Sequence, residues 1–209
     1  MTADESPQTS EWLTRVGAGQ EGALAELFDH YRPRLRQMIR LRLDPRVAAR
    51  LDPSDVLQEV YLDVAGQVRN YLARPSVAFY VWLRGLAWER LLKLHRRHLG
   101  AACRAVGREQ PLPLESSAAL ASQLTAAGAS PSAALAQEEV RRRVQAALAR
   151  LGPDDREVIL MRDFEDLSNN EVAQALGISA SGATMRYGRA LFRLKEALSA
   201  EWPSGESRP

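Results

Sequence analysis

Long apolar runs, cysteines and aromatic rings are what this 209-residue chain has least of, and each shortage removes a class of protein. No apolar stretch approaches the roughly twenty residues that a membrane-spanning helix needs. The N-terminal MTADESPQTS is acidic and polar, without the basic start and apolar centre of a secretory signal. Cys103 is the single cysteine, which excludes an intramolecular disulfide. Aromatics are 6% of the residues and long alternating β-branched runs are scarce, so a core built on sheets is disfavoured. A phosphate-cradling glycine loop is missing, as is any Ser, His and Asp arrangement in a recognisable local context. The expectation is a cytoplasmic protein that is not an enzyme and needs no cofactor.

One weak exception is the pair His95 and His98 near Cys103. An H-x-x-H spacing on a helix can offer two metal ligands, but no fourth ligand is in view and the neighbouring arginines would repel a cation. No metal is expected, and a metalloenzyme reading would rest on those three residues alone.

Ala, Leu, Arg and Glu dominate what is present, which favours helix throughout. The chain is long enough for two small domains. The expected fold class is therefore all-α: two small helical domains joined by a flexible linker, the C-terminal one a helix-turn-helix. A formal net charge of +2 selects no partner, but the charges are segregated. Asp52, Asp55, Glu59 and Asp63 form an acidic stripe, whereas Arg84, Arg90, Lys93, Arg96 and Arg97 belong to a basic stretch.

In the first half, Leu24, Leu27, Phe28 and Tyr31 share a helical face that resumes after Pro33 with Leu35, Met38, Ile39 and Leu43. Pro33 should kink or divide this helix. Asp52 and Pro53 mark the next helix start as cap and first residue. A third helix, beginning near Pro75 and ending near Gly100, joins Phe79, Tyr80, Trp82 and Trp88 to the basic residues. Its exposed rings could stack on unpaired bases while Arg84, Lys93, Arg96 and Arg97 hold the backbone, with about two of the rings reserved for packing. The domains expected are 10–107 and 133–199, joined by a Pro- and Gly-punctuated linker at 108–132 and followed by a frayed tail at 200–209.

The stretch SNNEVAQALGISASGATMRYGRALFRLKEAL carries the sharpest pattern. Ser168 and Glu171 form an S-x-x-E capping box, Gly177 suits a left-handed helix end, Ile178 can plug the corner, and Ser179 or Ser181 can cap a second helix. That is the logic of a helix-turn-helix. Ala183, Tyr187, Ala190, Leu191, Leu194 and Leu198 should face inward, with Arg186, Arg189 and Arg193 on a flank. Small residues from Ser181 to Thr184 would let the helix enter a major groove, Thr184 and Arg186 reaching bases and Arg189 and Arg193 suiting phosphates.

With these pieces placed, the chain resembles the extracytoplasmic-function (ECF) sigma factors, two-domain promoter-specificity subunits of bacterial RNA polymerase. DPSDVLQEVYLDV looks like that family's polymerase-binding helix, FYVWLRGLAWERLLKLHRRH like its promoter-melting helix, and the segment from LGPDDREVIL to LKEAL like its C-terminal domain. The resemblance implies that Asp55, Leu57, Gln58 and Glu59 grip core RNA polymerase. It implies that Trp82, Arg84, Trp88, Lys93, Arg96 and Arg97 open and read the minus-ten promoter element as single strand. Ser181, Thr184, Arg186, Arg189 and Arg193 would read the minus-thirty-five element as duplex. A restraining anti-sigma factor would be a further partner. Two departures stand out: Glu89 and Lys93 replace a commoner polar pair, and ASGATMRYGRA replaces the commoner V-G-T-V-K-S-R. SASGATMRYGRAL resembles sigma factors of planctomycete-like bacteria most. The competing reading is a stand-alone helix-turn-helix regulator.

Overall fold

The structure, a computed structural model, describes residues 6–43, 52–99 and 134–201. The expected linker and Cys103 lie outside the described residues, as does the expected tail beyond Glu201. Every regular element among the described residues is helical.

The N-terminal lobe holds four helices. Helix α1 (Pro7–Gly17) was not foreseen; Ser6 caps it by accepting the Thr9 N–H at 3.1 Å, and Leu13 anchors it to the core. Helix α2 (Ala23–Arg42) is one continuous element with Pro33 inside it, not a divided pair. Its buried Leu27, Phe28, Tyr31, Leu35, Met38 and Ile39 span the proline on both sides, so packing outweighs the lost hydrogen bond. Helix α3 (Pro53–Ala73) starts as expected, Asp52 accepting the Ser54 N–H at 2.6 Å.

Helix α4 (Phe79–Leu99) begins four residues later than expected. The preceding segment is held off the helix by two bonds: the Tyr71 hydroxyl donates to the Val77 carbonyl at 3.0 Å, and the Ala78 N–H donates to Gln174 Oε1 at 2.8 Å. Phe79 and Tyr80 are core residues, packed with Tyr31 and Tyr71.

The C-terminal lobe comprises α5 (Ala134–Arg150), α6 (Pro153–Ile159), α7 (Asn169–Leu176) and α8 (Ala180–Glu201). Between α6 and α7 the chain makes a widened π turn over Leu160–Phe164, closed by the Glu165 N–H on the Leu160 carbonyl at 3.0 Å. Helix α8 packs on α5, α6 and α7, and the two lobes touch where α4 meets α7 and α2 meets the π turn. One apolar cluster runs through both lobes, from Leu13 to Ala197.

Candidate nucleic-acid interface

The helix-turn-helix forms as its residues require. Ser168 accepts the Glu171 N–H at 3.2 Å while the Glu171 carboxylate accepts the Ser168 N–H at 2.7 Å. Gly177 takes the left-handed conformation at φ 63°, where a side chain would be strained. Ser179, rather than Ser181, caps α8 by accepting the Gly182 N–H at 3.1 Å.

Along α8, Ala183, Ala190 and Ala197 recur every seven residues on the buried face. The opposite face therefore carries Ser181, Met185, Gly188 and Phe192, with Arg189 beside them, all exposed. Met185 is 67% exposed and Phe192 62%, unusual for apolar side chains on a helix packed on three others. Leu191, expected inside, is 40% exposed because it lies at the edge of the buried stripe. The Thr184 hydroxyl donates to Asn169 Oδ1 and to the Ala180 carbonyl, so its donor is already committed within the lobe. Arg193 pairs with Asp155 while staying exposed, half-buried Arg186 lies 3.8 Å from Asp154, and Arg189 is exposed.

In the N-terminal lobe, α3 exposes Asp55, Gln58 and Leu62 on one face. Leu57 is 1% exposed and belongs to the core, so it supports this helix and cannot itself grip a partner. The acidic stripe is not left self-repelling: Arg90 of α4 pairs with Asp63 and, at 3.1 Å, with Glu59. Leu62, missed in the sequence, is 70% exposed, one helical turn beyond Gln58 and two beyond Asp55. Its position i+7 from Asp55 was the available signal.

Helix α4 divides its expected strand-binding residues. Lys93, Arg96 and Arg97 are exposed on its C-terminal half. Trp82 is half-buried and stacks on Tyr71, with ring centroids 4.7 Å apart. Trp88 is half-buried and lines a cleft of about 710 Å³ between the lobes, together with Val81, Met161, Leu176 and Arg186. Arg84, expected on DNA, is 6% exposed and turned into the lobe contact.

That contact is a buried charge cluster. Arg84 donates to Glu165 Oε2 at 2.8 Å and to Glu157 Oε1 at 2.7 Å. Arg42 of α2 pairs with Glu165 and donates to Glu157 Oε1 at 2.9 Å. Burial alone would raise the Glu165 carboxyl, but the guanidinium groups of Arg42 and Arg84 outweigh it and hold the group at about 2, against an ordinary 4.5. Burial likewise works against the charged form of Arg84, and Glu165 and Glu157 more than reverse it, leaving Arg84 raised. Arg34 completes the junction, donating to the Glu165 and Asp166 carbonyls at 3.2 Å, its guanidinium 3.8 Å above the Tyr80 ring.

Among the described residues no group of three or more His, Cys, Asp or Glu side chains could hold a metal ion, and no helix is long and apolar enough to cross a membrane. His95 is buried, while Cys103 and the side chain of His98 fall outside the described residues.

Residues 141–194, spanning the helix-turn-helix, match the family described as Sigma-70, region 4. The ECF RNA polymerase sigma factor SigD of Mycobacterium tuberculosis strain H37Rv is 29% identical over 185 residues, 88% of this chain and 80% of that protein. The RNA polymerase sigma factor CarQ of Myxococcus xanthus is 27% identical over 188 residues, 89% and 95% of the two chains. The solved structure of CnrH in complex with the cytosolic domain of CnrY shares the fold, with a TM-score of 0.56 at 22% identity, over 90% of this chain and 96% of that one. Domain match and relatives support one class, the sigma-70 transcription initiation factors. The SigD relative is named as a member of the extracytoplasmic-function group.

Proposed function

We propose that this chain is an RNA polymerase sigma factor of the ECF type, directing core polymerase to specific promoters and initiating transcription. The carrying observation is the helix-turn-helix itself: its capping box, left-handed Gly177 and outward row on α8 fall inside the segment that matches sigma-70 region 4. Such a factor binds core polymerase and promoter DNA and performs no catalysis of its own. Relatives that span both halves are sigma factors, so nothing favours the stand-alone regulator.

In this reading, residues 10–107 form the polymerase-binding and promoter-melting domain, 108–132 the linker, 133–199 the minus-thirty-five domain and 200–209 a tail. Asp55 and Gln58, with Leu62 between polar neighbours, form the polymerase-binding face: an apolar anchor with a charged rim is the usual anatomy of a protein interface. Glu59 contributes while paired to Arg90. Lys93, Arg96, Arg97 and Trp88 contact the melted strand, Trp82 supports the ring platform, and Arg84 joins them when the lobes separate. On α8, Ser181 and Met185 meet the major groove with Arg186 within reach of bases, Arg189 and Arg193 lie at phosphates, and Thr184 fixes the helix start. An anti-sigma partner is consistent with the CnrH complex, in which that protein is bound to the cytosolic domain of CnrY. The narrower likeness to planctomycete-like factors rests on SASGATMRYGRAL alone.

Transcription by purified core polymerase with and without the chain tests the reading. Promoter-dependent transcript and a stable core complex are expected; absence of both across core enzymes from several bacteria would sink it.

A further inference from the structure

We infer that Arg42 and Arg84 form a backbone-phosphate site for a single DNA strand, and that Glu157 and Glu165 occupy it while the lobes are closed. The inference rests on the sigma-factor reading for the nature of the strand and goes beyond it in naming the site, its second arginine and its internal occupant.

Four observations carry it. First, the two guanidinium groups come from different helices of the N-terminal lobe yet converge on one place. Among the described residues, their acceptors are Glu157 and Glu165 of the other lobe, apart from the Met38 carbonyl that takes one Arg42 N–H at 3.0 Å. An arginine fork matches carboxylate and phosphate with the same geometry, so the two acids present what a phosphodiester would. Second, Arg42 and Arg84 are nearly free of solvent, and removing the carboxylates would leave two buried cations uncompensated. An open N-terminal lobe would therefore present two converging guanidinium groups that an anion can take in place of the carboxylates. Third, the site adjoins a stacking surface: the Arg42 guanidinium lies 5.7 Å from the Trp88 ring centroid, and Trp88 lines the cleft between the lobes. Lys93, Arg96 and Arg97 continue the positive charge along the same helix, which together make the groove-plus-ring arrangement that holds single strands. Fourth, the closed chain holds an unmet polar group beside the junction, because the buried hydroxyl of Tyr80, whose ring lies under the Arg34 guanidinium, has no hydrogen-bond partner among the described residues.

The competition predicts that the closed chain binds a single strand poorly and that neutralising the internal acids releases the site. The experiment uses the full chain and a short fluorescein-labelled adenine- and thymine-rich oligodeoxynucleotide, read by anisotropy across a salt series. Glu157→Gln/Glu165→Gln should bind about tenfold more tightly than wild type, with log affinity falling more steeply with log salt by about 1.4, two contacts' worth for a single strand. Adding Arg42→Ala/Arg84→Ala should erase the gain. Glu11→Gln/Glu21→Gln, which removes the same charge from exposed positions, should give none. Equal binding by wild type and the Gln pair, or a gain that survives loss of both arginines, overturns the inference. If the double variant loses its helical circular-dichroism signal, Glu157→Gln alone is read, with a several-fold gain expected and no gain overturning. Whether the wild-type chain supports transcription with core polymerase is measured separately, so failure of the broader reading is distinguishable.

Discussion

At the scale of single residues, the outward row of α8 separates side chains that can read sequence from those that only hold the backbone. Met185 is exposed on the face of α8 that the proposed reading turns to the groove, where its apolar partner would be a thymine methyl group. Met185→Ala should cost about 1 kcal/mol at one thymine of the upstream element, on the order of one buried methylene. Replacing that thymine with uracil should weaken wild-type binding and leave the variant unchanged, as duplex titrations with holoenzyme would reveal. Arg189, exposed on the same helix, should behave differently. Arg189→Ala is expected to weaken binding evenly across promoter sequences and to lower the salt slope by about 0.9. A sequence-dependent loss would show instead that Arg189 touches bases. The periodicity of α8 was legible from its alanines and arginines, but the commitment of Thr184 to Asn169 was not, because that partner sits on another helix.

At the scale of elements, α3 carries two unlike tasks on two faces under the proposed reading, packing the core and meeting core polymerase. Leu57 and Leu62 are the same residue type five positions apart, yet one is buried and the other open. Leu57→Ala should lower stability by about 2 to 5 kcal/mol through the cavity it leaves, measured by denaturant unfolding. Leu62→Asp should leave unfolding nearly unchanged and reduce capture of core polymerase at least about tenfold, the penalty expected at an apolar anchor. If Leu62→Asp unfolds the chain or binds core normally, the face is misassigned. Helix starts at Asp52, Pro153 and Ser168 could all be read from local chemistry, since cap and first-turn residues act within four positions. The start of α4 and the continuity of α2 through Pro33 could not. The bond from the Ala78 N–H to Gln174 joins residues 96 positions apart, and the packing around Pro33 draws on every helix of the lobe.

For the whole molecule, the decisive feature is the charge cluster that ties α2 and α4 to the segment after α6. Sequence periodicity placed Arg84 on a basic helix but gave no reason to bury it; its partners are 73 and 81 residues away. The cluster carries a pH signature. Glu165 is held well below its ordinary 4.5, so its contribution to closed-state stability is fully present above that value and is lost as pH falls from 4.5 towards 2. Unfolding measured over that range should show a loss in wild type that is much smaller in Glu165→Gln. Parallel curves for the two proteins would mean that the carboxylate is not charged in the folded chain.

The π turn sets where that carboxylate points. An α-helical turn from Leu160 would close one residue earlier, and each residue of helix turns a side chain by about 100°. Deleting a single residue from Leu160–Phe164 would therefore swing Glu165 away from Arg42 and Arg84. A one-residue change in chain length at this point would misalign the two halves: the acid offered by one would no longer face the cations of the other.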